Sequence, residues 1–153
     1  MSTDTDRIER QIFLKAPRAR VWAALSNADE FGAWFGVALR GRAFQPDQHV
    51  SGNITIKGFE HVVFDVRIVD VEPEQRLSMR WHPYPVDPAI DYSKEPTTLI
   101  EFDLQESDGG TLLRVVESGF DKIPAARRAE AFRMNSQGWE GQMRNIEQYL
   151  AGH

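Results

Sequence analysis

Apolar and polar residues alternate along the middle of the chain, a pattern typical of β-strands that bury one face. The alternation is cleanest over Glu60–Val71, where every second residue from Val62 to Ile68 is apolar. The apolar phase then moves to Val69, and because a one-residue shift exchanges the two faces of a strand, we expect a bulge near Ile68. Similar alternation predicts strands at Ile8–Leu14, Val37–Phe44, Val50–Ile56, Leu77–Trp81, Ile100–Gln105 and Thr111–Ser118.

Two connections between these strands carry clear signals. Asp108-Gly109, between two alternating runs, is typical of a tight hairpin. The segment His82–Pro96 contains four prolines, which lack the N–H group that a central strand needs, so we predict a long loop there. Such a loop is either a lid over a site or a rigid surface excursion, and as a lid it would let Tyr84 and Tyr92 stack on a ligand.

The final segment changes to a helical period, with apolar residues at spacings of three and four. This spacing predicts one long amphipathic helix with Pro124 in its first turn. Gly138 and Gly141 flank Trp139, and each costs about 1 kcal/mol relative to alanine within a helix. We expect close approach of the sheet, or a cavity wall, to compensate. The stripe of the helix consists of Phe132, Ser136, Trp139, Met143, Ile146 and Leu150.

Two short helices follow the first strand. Pro17 suits the first turn of the first helix. The second is predicted over Asn27–Trp34, with Asn27 or Asp29 as its N-cap. The order is therefore strand, two short helices, several antiparallel strands and a long helix. This order predicts an α+β fold in which a curved antiparallel sheet of about six or seven strands surrounds the C-terminal helix. Residues 1–153 fit one domain, and we expect residues 1–6 to be disordered.

Composition narrows the classes of function. The chain has no cysteine, which excludes a disulfide framework, a thiolate nucleophile and a cysteine-based zinc site. Its net charge of −5 argues against a nucleic-acid binder. His49, His61 and His82 lie on different predicted elements, and phosphate-binding glycine motifs are missing, so we expect neither a metal nor a cofactor. Without a signal peptide or an apolar run of membrane length, we expect a cytoplasmic protein that does not bind membranes.

A series of residues in order along the chain resembles one known family. The pieces are Ala16-Pro17 with Val21-Trp22, then Trp34-Phe35, Val69–Leu77, Gly110–Phe120 and Gly138-Trp139. In this order they resemble the START-like (SRPBCC) superfamily, and within it bacterial single-domain proteins similar to the C-terminal domain of the activator of the ninety-kilodalton heat-shock protein ATPase. The resemblance implies the helix-grip fold. Members of the superfamily bind lipids, hormones or polyketides, and some catalyse cyclisation or hydrolysis.

The helix-grip fold would place a pocket between sheet and helix, which is the default site hypothesis. Aromatic and methionine side chains suit adaptable apolar recognition there. The alternative is that these side chains simply fill a hydrophobic core, and the sequence leaves both interpretations open. The apolar candidates for a ligand-binding wall are Trp34, Phe35, Met79, Trp81, Tyr84, Phe102, Phe120, Phe132, Trp139 and Met143.

Glu117 is the polar candidate for this site. If Arg114 faces outward on its strand, then Leu113, Val115 and Glu117 face inward together. A carboxylate at an apolar cavity would have a raised pKa and could bind a polar group of a ligand or act as a general base. Alternatively, Glu117 pairs with an arginine or caps the turn at Ser118.

Three functions remain open. The leading hypothesis is a binding module for a small hydrophobic or aromatic ligand, in a protein that is a monomer or a weak homodimer. The second is an interaction protein that contacts a chaperone. The third is a cyclase or hydrolase in which Glu117 is catalytic together with a loop tyrosine or histidine. A binder should have an apolar cavity, an enzyme should have converging polar groups with a perturbed pKa, and an interaction protein should have a filled interior and exposed apolar residues.

Overall fold

The computed structural model of the chain describes residues 6–39 and 43–152. In these residues one antiparallel sheet has the strand order β1-β6-β5-β4-β3-β2, and the longest helix, α3, packs beside β1 and against α2. The predicted α+β helix-grip fold is confirmed. The elements are β1 Arg7–Leu14, α1 Arg18–Ser26, α2 Ala28–Phe35, β2 His49–Asn53, β3 Val63–Glu72, β4 Arg76–Trp81, β5 Thr98–Ser107, β6 Gly110–Ser118 and α3 Ala125–Gly152, with short 3-10 turns at Tyr92–Lys94 and Phe120–Lys122.

The bulge and the hairpin lie where the sequence predicts them. The pairing of β3 with β4 shifts register between Ile68 and Asp70. Strands β5 and β6 are joined by Asp108 and Gly109, whose φ angles of 45° and 80° are both positive. Two positive φ angles match the tight hairpin turn that follows the right-handed twist of the strands.

The predicted strand Val37–Phe44 is wrong for the residues that the structure describes. Val37 and Ala43 make only isolated bridges, to Ile54 and Asn27, and residues 40–42 lie outside the described part. Val37, Leu39 and Phe44 are nevertheless buried, so the apolar pattern there reflects burial without strand pairing.

The predicted strand Val50–Ile56 is observed as the shorter β2. Within β2, a Cβ atom on Gly52 would lie 2.1 Å from the carbonyl oxygen of Ala38. Glycine is therefore required at this position because the neighbouring chain crosses β2 at close range.

Local signals explain the two short helices. Asn27 is the N-cap of α2, because its side chain accepts a hydrogen bond from the N–H of Glu30 at 3.1 Å. The helix ends at Gly36, whose φ of 93° is in the left-handed region that glycine favours. Tyr149 near the end of α3 then donates to the Glu30 carboxylate at 2.8 Å, which ties α2 to the C-terminal helix.

Rings fill the space between the sheet and α3. Phe31 lies at the centre, with ring centroids 5.0 Å from Trp34, 4.9 Å from Phe35 and 6.4 Å from Phe102. Phe102 is in turn 5.6 Å from Trp139 on α3. Phe31 stacks on Phe35 and the other pairs are edge-to-face, and aromatic pairs in these arrangements stabilise the fold beyond their buried area. The deep interior is therefore a core that aromatic side chains occupy.

The expected disorder over residues 1–6 concerns a segment that lies outside the described residues, apart from Asp6. The carbonyl oxygen of Asp6 accepts hydrogen bonds from the N–H groups of Gly119 and Phe120, each at 3.1 Å. Asp6 is therefore held against the segment that follows β6.

Candidate ligand-binding site

A buried carboxylate organises the junction of the sheet and the long helix. Glu117 is fully buried on β6, as the phase of its strand predicts. Its Oε1 accepts a hydrogen bond from Trp139 Nε1 at 2.7 Å. Its Oε2 accepts hydrogen bonds from Trp81 Nε1 at 2.7 Å and from Thr98 Oγ1 at 2.6 Å. Asn135 Nδ2 lies 3.1 Å from Oε1 and 3.2 Å from Oε2.

These contacts bring β4, β5 and α3 together around one carboxyl group on β6. The hydrogen-bond partners of Glu117 in the described part of the chain are all uncharged, and neither an arginine pair nor a cap at Ser118 is found there. Burial raises the pKa of the Glu117 carboxyl, while the hydrogen bonds from Thr98, Trp81, Trp139 and Asn135 oppose that rise. The raised direction agrees with the expectation from the sequence.

The donor set defines what this carboxyl group can do. An indole N–H donates only, so both tryptophan contacts require an oxygen that accepts. Each carboxylate oxygen already accepts from at least two groups, which uses its lone pairs. Glu117 therefore fixes the orientations of Trp81 and Trp139 rather than offering a free oxygen.

An open cleft of about 170 Å³ lies over this network. The rings of Trp81 and Trp139 form its base, with centroids 5.9 Å apart and planes inclined by 31°. Phe35 closes one side, 6.2 Å from Trp81 and 6.1 Å from Trp139. The full lining is Phe35, Trp81, Asn135, Gly138, Trp139 and Gln142.

The helical side of the cleft follows from residue spacing on α3. Asn135 lies three and four residues before the adjacent pair Gly138-Trp139, and Gln142 lies four and three residues after it, so they line one side of the helix. Gln142 Nε2 donates to the carbonyl oxygen of Phe35 at 2.9 Å, which holds α3 against the end of α2.

Gly138 leaves the cleft open. No heavy atom lies within 4 Å of the position that a Cβ atom would occupy at Gly138 or at Gly141. The close approach of the sheet that we expected beside these glycines is therefore wrong. The alternative, a cavity wall, fits Gly138, which lines the cleft.

The structure separates the predicted ligand-binding residues into two groups. Phe35, Trp81 and Trp139 line the cleft, and Glu117 lies beneath them. The others pack elsewhere: Trp34, Met79, Phe102, Phe120 and Met143 are buried in the core, and Phe132 and Tyr84 are half-buried against it. A binding role for this second group remains a prediction.

Asn135, Gln142 and Thr98 are site residues that the sequence reasoning missed. The helical period was a usable signal for the first two, because Asn135 precedes Trp139 by four residues and Gln142 follows it by three. Thr98 had no such signal, since its side chain reaches Glu117 from a different strand.

The proline-rich loop borders a second cleft, of about 370 Å³, which shares Trp81 with the first. Arg127 on α3 ties both ends of the loop down. Its Nη1 donates to the carbonyl oxygen of Pro83 at 2.7 Å, and its Nε donates to Glu95 Oε1 at 2.8 Å. The guanidinium also lies over the ring of Tyr92, 4.6 Å from its centroid. These contacts favour a rigid excursion over a mobile lid.

Within residues 6–39 and 43–152, no group of three or more metal-binding side chains comes together. In that same part of the chain, no helix is both long and apolar enough to cross a membrane.

The family model described as Activator of Hsp90 ATPase homolog 1-like protein matches residues 15–151. The chain belongs to this family. The match covers most of the chain and confirms the resemblance that the sequence motifs indicate. No match to this chain was found among curated proteins.

Solved structures of similar fold agree with the family assignment. This chain is 23% identical to protein MLL2253 from Mesorhizobium loti, with a TM-score of 0.72 over 95% of this chain and 96% of that one. It is 17% identical to protein Ms6760 from Mycobacterium smegmatis, with a TM-score of 0.73 over 99% and 96%. DynU16, a protein in the dynemicin biosynthetic locus, is 21% identical with a TM-score of 0.72, over 95% of this chain but only 47% of DynU16.

Proposed function

We propose that this protein binds a small, largely apolar ligand with an aromatic ring in the cleft between α2, β4 and α3. One observation carries the proposal: a single buried carboxylate, Glu117, holds the indoles of Trp81 and Trp139 in fixed orientations at the base of an open cleft. Aromatic rings that are held in place lose little freedom when a ligand packs on them, which favours binding.

The size and lining of the cleft support a ligand of one or two rings. Its volume of about 170 Å³ is comparable to the ~150 Å³ engineered cavities that bind benzene in other proteins. Phe35 and the two indoles supply apolar contact, while Asn135 and Gln142 supply polar groups at the edge. A mainly apolar pocket with few polar groups is typical of small-molecule sites.

Gly138 is a second argument for a cleft that is kept open. Glycine inside a helix costs about 1 kcal/mol relative to alanine, and a side chain at position 138 would meet no neighbouring atom. Packing therefore does not require glycine here. An open cleft does require a small residue, because a large side chain at position 138 would project into it.

The fold match to DynU16, a protein in the dynemicin biosynthetic locus, is compatible with a role beside a small organic molecule.

The geometry gives less support to the alternative of a cyclase or hydrolase in which Glu117 is the base. A general base needs a free oxygen within about 3 Å of the proton that it removes, whereas both oxygens of Glu117 are buried and already accept from four side chains.

The test follows the four tryptophan indole N–H signals in ¹H–¹⁵N spectra during titration with indole, phenol and toluene. We expect the Trp81 and Trp139 signals to shift, while Trp22, which lies outside the cleft, serves as an internal reference. Gly138→Leu should abolish these shifts. Gly141→Leu is the matched control, because it changes the same helix at a position outside the cleft and should leave binding intact. Unperturbed Trp81 and Trp139 signals with all three compounds would contradict the proposal.

Exposed apolar side chains favour one other candidate, an interaction with a chaperone. Val63 and Ile90 are 51% and 40% exposed and line the cleft beside the proline-rich loop, and Ile56 and Phe59 are 50% and 45% exposed. Exposed apolar residues often mark protein contacts. ATP hydrolysis by a purified ninety-kilodalton heat-shock protein, measured with the wild type and with a Val63→Ser, Ile90→Ser double variant, tests this candidate. Stimulation that the double variant loses would support it, and the absence of stimulation by the wild type would exclude it.

A further inference from the structure

We propose that the cleft selects ligands whose ring carries an O–H or N–H donor, and that Asn135 Oδ1 accepts the hydrogen bond from that donor. The inference rests on the proposed function and adds to it the chemical class of the ligand. It follows from the way in which Glu117 orients the Asn135 amide.

The orientation of Asn135 is determined by charge and hydrogen bonding. Its Nδ2 lies 3.1 and 3.2 Å from the two oxygens of Glu117. The opposite orientation would direct the lone pairs of the amide oxygen at a group that already accepts from two indoles and a hydroxyl. Since the nitrogen and oxygen of an amide diverge from the same carbon, Oδ1 points in a different direction from the Nδ2 that faces Glu117.

The remaining polar groups of the cleft leave Asn135 Oδ1 as the position for a ligand. Trp81 and Trp139 donate to Glu117 through their only N–H groups. Gln142 is engaged at both ends, since Nε2 donates to the Phe35 carbonyl at 2.9 Å and Oε1 accepts from Asn145 at 3.0 Å.

Each side-chain nitrogen of the lining thus already donates within the protein, whereas Oδ1 of Asn135 accepts from none of the described residues. A ligand that can only accept meets two indole N–H groups that already donate to Glu117 and, at the edge of the cleft, one remaining N–H of the Gln142 amide. A ligand that donates finds an acceptor beside the indole rings, on a half-buried residue. Because a ligand that covers Oδ1 without donating to it displaces water and leaves an acceptor unpaired, the cleft should discriminate by hydrogen-bonding type and not only by size.

Matched ligands test the inference directly. Phenol and anisole have the same ring, but only phenol can donate, and indole and 1-methylindole form a second such pair. Burial of apolar surface alone favours the methylated compound of each pair. One neutral hydrogen bond contributes about 1 kcal/mol, so the affinity of phenol relative to anisole, and of indole relative to 1-methylindole, should be roughly fivefold higher than it would be without the acceptor. The measurement is the dissociation constant from titration of the Trp81 and Trp139 indole signals.

Asn135→Ala removes the acceptor and should bring the ratio within each pair to one or below, while the anisole affinity stays within about twofold of that of the wild type. Gln137→Ala, an exposed neighbour on the same helix, is the matched control and should keep the preference. If Asn135→Ala does not fold, the comparison of the two ligand pairs on the wild type decides alone.

The outcomes separate this inference from the proposed function. If the methylated compound of both pairs binds more tightly to the wild type, the cleft binds rings but the role of Asn135 is wrong. If Asn135→Ala folds and keeps the wild-type preference, the role is likewise wrong. If neither compound of either pair shifts these signals, the binding function itself fails and the inference fails with it.

Discussion

The indole N–H of Trp139, on the C-terminal helix, donates to Oε1 of Glu117, on the last strand, over 2.7 Å. Both groups are buried, so this bond joins helix and sheet in a region of low dielectric, where a hydrogen bond is electrostatically stronger than in water. Trp81 makes the equivalent bond to Oε2 at 2.7 Å. Through these two bonds the same carboxyl group affects both stability and the shape of the cleft.

Glu117→Gln should destabilise the fold, although it keeps the size of the side chain. One carboxylate oxygen becomes an NH2 group, which must then face the indole N–H of Trp139 or of Trp81, and two donors cannot satisfy each other. An unsatisfied buried donor costs about 1–3 kcal/mol, so we expect a loss of that size in the free energy of unfolding by urea at pH 7. Glu106→Gln, at an exposed position of β5, is the control and should change little. Equal stability of the two variants would contradict the network.

The stability of the wild type relative to Glu117→Gln should depend on pH in one direction. Burial raises the pKa of Glu117 in the native state above its ordinary value of 4.5, so the native state binds this proton more tightly than the unfolded state does. The stabilisation linked to that proton is fully present below the ordinary pKa and is lost as pH rises through the raised one. We therefore expect the free-energy difference between wild type and variant to shrink as pH is increased from below 4.5. A difference that grows with pH would mean that the hydrogen bonds outweigh burial and lower the pKa.

The strand pattern was readable because alternation reports burial. Val115 and Glu117 share a strand face with Leu113, so the inward direction of Glu117 followed from its neighbours. The same reasoning produced a false strand at Val37–Phe44, where the apolar residues are buried but the backbone does not pair in a ladder. The apolar pattern predicts which residues are buried, but it does not determine whether their backbone forms the hydrogen bonds of a sheet.

The partners of Glu117 could not be predicted in the same way. Trp81 and Thr98 precede Glu117 by 36 and 19 residues, and Asn135 follows it by 18, so their meeting depends on the packing of α3 across the sheet. Whether the space between sheet and helix is hollow or filled also depends on how the rings interlock. Phe31 decides this point, since it packs against several rings at once, and no local pattern distinguishes it from a cavity-lining residue.

Gly138→Ala and Gly141→Ala should both stabilise the protein. Each position lies in α3 with open space where a Cβ atom would be, so alanine gains helix propensity without a clash, by about 0.5–1 kcal/mol. We expect both melting temperatures to rise by a few degrees in thermal unfolding followed by circular dichroism. A lower melting temperature for Gly138→Ala alone would mean that packing, and not an open cleft, requires glycine there.

Arg127→Ala should loosen the proline-rich loop with less effect on the sheet. The guanidinium joins the carbonyl of Pro83, the carboxylate of Glu95 and the ring of Tyr92, and both members of the ion pair are largely shielded from solvent. Its removal leaves Glu95 without its cation, which is unfavourable in a shielded site. The loop should then open locally, because regions with few remaining contacts open at low free energy.

Hydrogen exchange is the appropriate measurement, since it reports each segment separately. We expect amides over residues 82–96 to exchange at least tenfold faster in Arg127→Ala, while those of β5 and β6 keep their protection. Arg144→Ala, which removes an exposed arginine from the same helix, is the control and should leave the loop unchanged. Unchanged exchange over residues 82–96 in Arg127→Ala would mean that the prolines and the internal turns alone keep the loop rigid. Faster exchange throughout the sheet would instead assign Arg127 a role in global stability.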